Sequence, residues 1–340
     1  MEMDWKQRRL VSRLTVILLL LSAAVLIVLG IRYRASRPQE AQTPGEPGVT
    51  AAQTEDLSAL RYSNGSATLS FVMENGAWIW ADEPDFPLDQ AAVTAVWTLI
   101  DTLEYQQTLT PEGDLAFYGL DTPSADVTVT SPQGAVRRLT FGKTTTDGTS
   151  RYLIENDDFS SVYIAANTLF DALKTPIYDM MRLPALPDLT EERLTRLTVR
   201  GPVPAAAEGE TPQSAPELTL DARWSVLSQT AVWSKGNDNV TSSASLQALV
   251  ADLKTLSIIK CVDYRPSEQA ASICGFDDPP AVMTAEYTTE TGAAETWTLT
   301  LGGEAPEGRY ARLGDDDTIY LLPADSTDAL LRLASGGLDG

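Results

Sequence analysis

Two tracts of this 340-residue chain set a carboxylate between a glycine and a proline: Gly119-Leu120-Asp121-Thr122-Pro123 and Gly275-Phe276-Asp277-Asp278-Pro279. In a ligand-binding loop, Asp121 and Asp277 would be the acceptors. The same residues also have turn roles. Glycine supplies an unusual backbone angle, aspartate an Asx-type bond, and proline forces extension into the next strand. Because every position has such a role, the repeated loop of Gly119, Asp121, Pro123, Gly275, Asp277 and Pro279 is read as structural first.

Other residue types narrow the chemistry further. There is no histidine, which removes Ser-His-Asp and Cys-His catalysis and every His-ligated metal site. Asn156-Asp157-Asp158 and Asp315-Asp316-Asp317 lack the alternating oxygens, central glycine and distal glutamate of a calcium loop, and read as hairpin turns. No Ser-x-x-Lys, Walker A or Gly-x-Gly-x-x-Gly sequence occurs. Carboxylate pairs for glycoside hydrolysis can be drawn from 47 acids, but none forms a constellation. The chain is therefore expected to be non-enzymatic, without cofactor or metal. Trp78, Trp80, Trp97, Trp224, Trp233 and Trp297 would suit a sugar platform or a core, and the core is the better fit. Cys261 and Cys274 would close a loop worth about 3 kcal/mol as a disulfide outside the cytoplasm; two buried thiols are the alternative.

The elements that must position these residues begin with a membrane anchor. Residues 14–31, LTVILLLLSAAVLIVLGI, carry no charge. As a helix they span about 27 Å, close to a bilayer core. Residues 1–13 are expected in the cytoplasm and the C-terminal remainder outside it, as in a single-pass signal anchor. Residues 41–340 hold 18 bases against 44 acids, so nucleic acid is a poor partner and the acidity serves solubility. Residues 32–56 read as a flexible stalk and residues 201–216 as a disordered inserted loop.

Between these segments the chain repeats itself. Ala77-Trp78-Ile79-Trp80 is echoed by Ala231-Val232-Trp233-Ser234, Leu139-Thr140-Phe141-Gly142 by Leu299-Thr300-Leu301-Gly302, Arg151-Tyr152 by Arg309-Tyr310, and Val162-Tyr163 by Ile319-Tyr320. The order and the near-constant offsets indicate two copies of one module, residues 57–187 and 188–335. Each parses as a hairpin, a helix, four strands and a short helix. Asn75-Gly76 marks the first hairpin. Leu88, Ala92, Val96, Leu99 and Leu103 mark the apolar face of the first long helix, and Leu246, Leu249, Val250, Leu253 and Leu256 that of the second. The fold expected is α+β: a transmembrane helix, then two similar modules, each an antiparallel sheet with helices on one face.

The tryptophan strand Trp78 to Trp80, Pro87 to Asp89, Tyr118 to Pro123, Phe141-Gly142 and Val162-Tyr163 together resemble the bacterial family catalogued as domain of unknown function 4340. Members look like membrane-anchored exported proteins, some encoded beside ABC-transporter subunits. The second copy departs from the pattern, with Cys274 for tyrosine, Phe276 for leucine and Leu301 for phenylalanine. The expectation is a membrane-tethered accessory or scaffold subunit of an assembly such as an ABC-type transporter. It would touch the bilayer through residues 14–31 and a membrane protein through its modules. An exposed tryptophan ladder would instead favour an envelope glycan- or peptide-binding module. A deep cleft of carboxylates with raised pKa would favour an envelope hydrolase.

Overall fold

Turn chemistry and period-two alternation shape most of the chain beyond residue 56. The computed structural model describes residues 57–111, 114–203 and 215–339. The expected cytoplasmic tail, transmembrane helix and stalk lie outside the described residues, as does most of the inserted loop. Among the described residues no helix is long and apolar enough to cross a membrane.

The first half opens with β1 (Ala59–Ser63), β2 (Thr68–Glu74) and β3 (Ala77–Trp80). Glu74 pairs with Ala77, and Asn75 and Gly76 take φ of 52° and 79°, the left-handed pair that a two-residue hairpin turn demands. Helix α1 (Gln90–Asp101) follows; the Asp89 side chain accepts from the Ala91 amide at 2.9 Å and so caps it. Then come β4 (Gln107–Leu109), β5 (Ala125–Thr130), β6 (Val136–Thr144), β7 (Ser150–Glu155), β8 (Val162–Ala166) and α2 (Thr168–Ala172). The second half holds β9 (Leu194–Arg200), β10 (Glu217–Ser225), β11 (Thr230–Lys235), β12 (Asp238–Asn239), α3 (Ala244–Thr255), β13 (Lys260–Asp263), α4 (Glu268–Ile273), β14 (Ala281–Thr288), β15 (Ala294–Ala305), β16 (Gly308–Leu313), β17 (Ile319–Leu322) and α5 (Asp328–Gly336).

These strands form two antiparallel sheets. Their orders are β3-β2-β1-β5-β6-β7-β8-β4 and β12-β11-β10-β9-β14-β15-β16-β17-β13. Apart from the two-residue β12, the second order reproduces the first position by position.

The α+β expectation is overturned among the described residues, which are mostly β. Seventeen strands stand against five α-helices, of which the longest has 12 residues. Hairpins extend the strands well beyond the tracts legible in sequence; β15 runs for 12 residues and β10 for nine. The helical face is also corrected. Val93, Val96, Trp97 and Ile100 are the buried residues of α1, whereas Ala92 and Leu99 are half-buried. Leu88 and Leu103, though buried, lie before and after the helix. In α3 the expected Leu246, Leu249, Val250 and Leu253 are buried, after a Ser243 cap.

One face of each sheet feeds a continuous core. In β5, Ala125, Val127 and Val129 point inward while Asp126, Thr128 and Thr130 are half-exposed. Leu60, Phe71, Leu139, Leu197, Leu299 and Trp233 belong to the same core, each almost wholly buried. A side chain of this size contributes about 1.5–3 kcal/mol by leaving water. The edge at β3 is closed by a side chain: Gln90 accepts from the Trp78 amide (2.7 Å) and donates to its carbonyl (3.0 Å). These bonds occupy one outward rung of the strand edge, which another chain would otherwise pair with. At the matching edge Thr241 accepts from the Trp233 amide at 2.9 Å.

An aromatic cluster joins the halves. Phe86 meets Trp80 and Tyr264 edge-on at 5.3 and 5.2 Å and stacks on Tyr178 at 6.2 Å. Tyr178 donates to the Asp263 carboxylate at 3.1 Å, and Arg265 pairs with Glu83 and Asp85. Burial and the Asp263 carboxylate push the Tyr178 phenol up to about 12.

Candidate functional site

The repeated Gly-x-Asp loops sit at matching places on the two sheets. In the first half a 3-10 turn, Leu115–Tyr118, ends at Gly119 with φ 68°. The Gly119 amide donates to Ala116 O and the Leu120 amide to Leu115 O, a left-handed helix ending that suits glycine. In the second half α4 ends at Cys274, and Gly275 has φ 83°. Its amide donates to Ser272 O and that of Phe276 to Ala271 O.

Both loops then press backbone against a bulged strand. The register shifts between Phe141 and Thr144 on β6, and between Leu301 and Glu304 on β15. A Cβ on Gly119 would lie 2.8 Å from the Lys143 amide nitrogen, and one on Gly275 2.8 Å from that of Gly303. A Cβ on Gly142 would overlap Tyr118 O, and one on Gly302 would overlap Cys274 O. Only glycine allows this approach from either side. An arginine then clamps each bulge: Arg151 donates to Gly142 O at 2.7 Å and Arg309 to Gly302 O at 2.9 Å. Arg151 also lies over the Phe170 ring, 3.5 Å from its centroid.

In the first half this loop covers part of the sheet's outer face, away from the main core. Tyr118 and Leu120 pack there with Ile154 and Val162 in a second, small cluster. Asp121 and Asp277 are exposed. Asp277 accepts from the Ser272 hydroxyl, and Asp121 accepts from the Thr122 hydroxyl next to it (3.4 Å). Their neighbours are those of turn residues. Pro123 lies at the end of a groove on the first sheet, of about 380 Å³, lined also by Arg61, Asp126, Thr128 and Arg138.

Cys261 lies in β13, and Cys274 caps α4. Both are free, buried thiols. Cys261 stands opposite Tyr320 in the main core, whereas Cys274 belongs to the loop packed on β15. Burial pushes the Cys261 thiol up to about 12, so it is a poor nucleophile near neutral pH. Trp78, Trp97 and Trp233 are buried in the core, and Trp80, Trp224 and Trp297 pack against it. Asp316, in the triple-aspartate turn, accepts from the Thr318 amide and hydroxyl and from the Tyr320 hydroxyl, all within 2.9 Å. Among the described carboxyls that shift, only Asp252 is raised, first by burial, and it sits in α3 outside the groove.

Sequence reasoning missed two sets of residues. Phe117 and Ile273 directly precede Tyr118-Gly119 and Cys274-Gly275, and are 64% and 77% exposed. Their signal was local: a large apolar residue before each glycine. The groove residues had a weaker signal, since Arg61, Thr128 and Arg138 lie on three different strands.

No curated protein and no solved structure matches the chain. A family model described as a domain of unknown function (DUF4340) matches residues 78–279, from the tryptophan of β3 to the proline ending the second repeated loop. That match covers more than half of the sequence, and the chain belongs to this family.

Proposed function

We propose that the chain is a membrane-anchored, extracytoplasmic, non-enzymatic subunit that docks on a membrane protein assembly such as an ABC-type transporter, with two copies of one module as its docking body. The observation supporting this reading is the pair Phe117 and Ile273. Two copies of one rigid loop present a large apolar side chain to solvent at the same position. Exposed anchors held by a stiff backbone make contacts at low entropic cost. The uncharged tract at residues 14–31 supplies the tether. The tryptophans pack in or against the core, which leaves the sugar-platform reading without its ladder.

The test is cross-linking and pull-down of the full chain from its native membrane. Parallel samples carry Phe117→Ser with Ile273→Ser, or lack residues 1–40. Integral membrane subunits should be recovered with the unaltered chain and lost with both variants. Equal recovery from the double variant would exclude these side chains as the contact; recovery of background alone from the unaltered chain would remove the docking role.

A further inference from the structure

The outer face of the first sheet carries a row of side chains that the second sheet does not share. Arg61, Thr128 and Arg138 stand directly opposite one another on β1, β5 and β6. At the usual spacing between strands, the two arginine Cα positions are about 10 Å apart. The next outward row is Ser63, Asp126 and Thr140. All six line the 380 Å³ groove, which Pro123 and Ser124 bound at the end where the Gly-x-Asp loop leaves the sheet.

The charges in the groove are available. Arg61 is exposed and makes no ion pair among the described residues; Arg138 is held by the exposed Asp157 alone. Such a surface pair is worth little and can exchange for another carboxylate. One oxygen of Asp126 accepts from the Ser63 amide at 3.2 Å, which leaves its second oxygen for a ligand. Two residues along a strand separate Asp126 from Thr128, so acid and base rows lie about 7 Å apart. In the second sheet the row opposite Thr284 is Thr198-Thr284-Thr298. Thr284 and Thr298 lie 3.4 Å apart there, and the nearby Arg196 is paired with Asp221 and Glu286.

We propose that this groove binds a short zwitterionic peptide. Its terminal carboxylate sits between Arg61 and Arg138 and its ammonium group against Asp126. A dipeptide extends about 7 Å, which matches the separation of the two rows. A polyanion does not fit: Asp126 opposes it locally, and 44 acids against 18 bases in residues 41–340 oppose it globally. This proposal does not depend on how the chain meets a membrane partner.

Titration calorimetry of the full-length chain in detergent micelles tests it, with alanyl-alanine, N-acetyl-alanyl-alanine and alanyl-alanine amide as probes. Alanyl-alanine should bind saturably. Blocking either end should weaken it about tenfold, the scale of one charge-assisted hydrogen bond. Arg61→Gln with Arg138→Gln should erase the difference between the free acid and the amide, and Asp126→Asn that between the free and acetylated amines. Arg196→Gln on the second sheet should change nothing. Absence of saturable binding, equal affinity for all three probes, or preferences that survive the groove substitutions would overturn the proposal.

Discussion

The two sheets share a skeleton and differ in what they show to solvent. Both bulge at a glycine, receive a left-handed glycine from the preceding loop, and fix the bulge carbonyl with an arginine. Those features are dictated by backbone contact, where a single added Cβ has no room. The outward rows are under no such constraint, and there they diverge: Arg61-Thr128-Arg138 on one sheet, Thr198-Thr284-Thr298 on the other. What recurs reports how each sheet folds, and what differs is where separate functions for the halves should be sought.

The strongest challenge to the likeness of the halves comes from their strand tryptophans. Trp233 is wholly buried and Trp78 is 6% exposed. Trp233→Ala should cost about 3–5 kcal/mol and Trp78→Ala the lower end of that range. Urea unfolding followed by circular dichroism reads both. One shared transition moved by either substitution would mean that the halves unfold together through the Phe86-Tyr178-Tyr264 cluster. Two transitions, each moved by its own tryptophan, would mean that they fold separately.

The glycine contacts come next. Gly142→Ala and Gly302→Ala force a carbonyl oxygen away on each sheet and should each cost about 2–3 kcal/mol. Gly134→Ala meets no atom within 4 Å, and its φ of 81° sets a control with backbone strain alone. If Gly142→Ala and Gly302→Ala differ in stability loss by more than the tryptophan pair does, the two bulges are not equivalent joints.

Parts of this arrangement were legible in the sequence because they are local. Asn75-Gly76 specifies its turn through two left-handed residues, and the repeated landmarks fall on matching strands. Other parts were illegible for physical reasons. The segment from Gln90 to Asp101 is apolar nearly all round, so its phase could not be read, and Val93, Trp97 and Ile100 turned inward instead of Ala92 and Leu99. Short strands such as β4 and β13 gain their definition from the neighbours they pair with, so no local pattern marks them. The groove is assembled from three strands, and no run of sequence contains it.

The helix caps give a smaller and finer comparison. Asp89 accepts from Ala91 N at 2.9 Å, while Ser243 accepts from Leu246 N at 3.4 Å. Asp89→Ala should lose about 1 kcal/mol and Ser243→Ala less, because its bond is longer and a charged cap also favours the helix dipole. Thermal melts of both variants check the order. A larger loss at Ser243 would point instead to its second contact, donation to Leu338 O at 3.4 Å.

The smallest effect separates the two outer faces by charge. Arg196 lies between Asp221 and Glu286 at 2.8 and 3.4 Å on the second sheet, with all three side chains more than 40% exposed. Pairs this wet are screened and stabilise by less than about 0.5 kcal/mol each. Arg196→Gln should therefore shift the melting temperature by a degree or two at low salt, and by nothing measurable at high salt. Arg61 has no such partner among the described residues, and the net charge is −22. Arg61→Gln should destabilise only through the general repulsion among acids, which salt also removes. A loss at Arg61 that persists in high salt would show that its guanidinium is held by a specific contact, and the first sheet's outward row would then belong with the shared skeleton rather than with the surfaces on which the halves part.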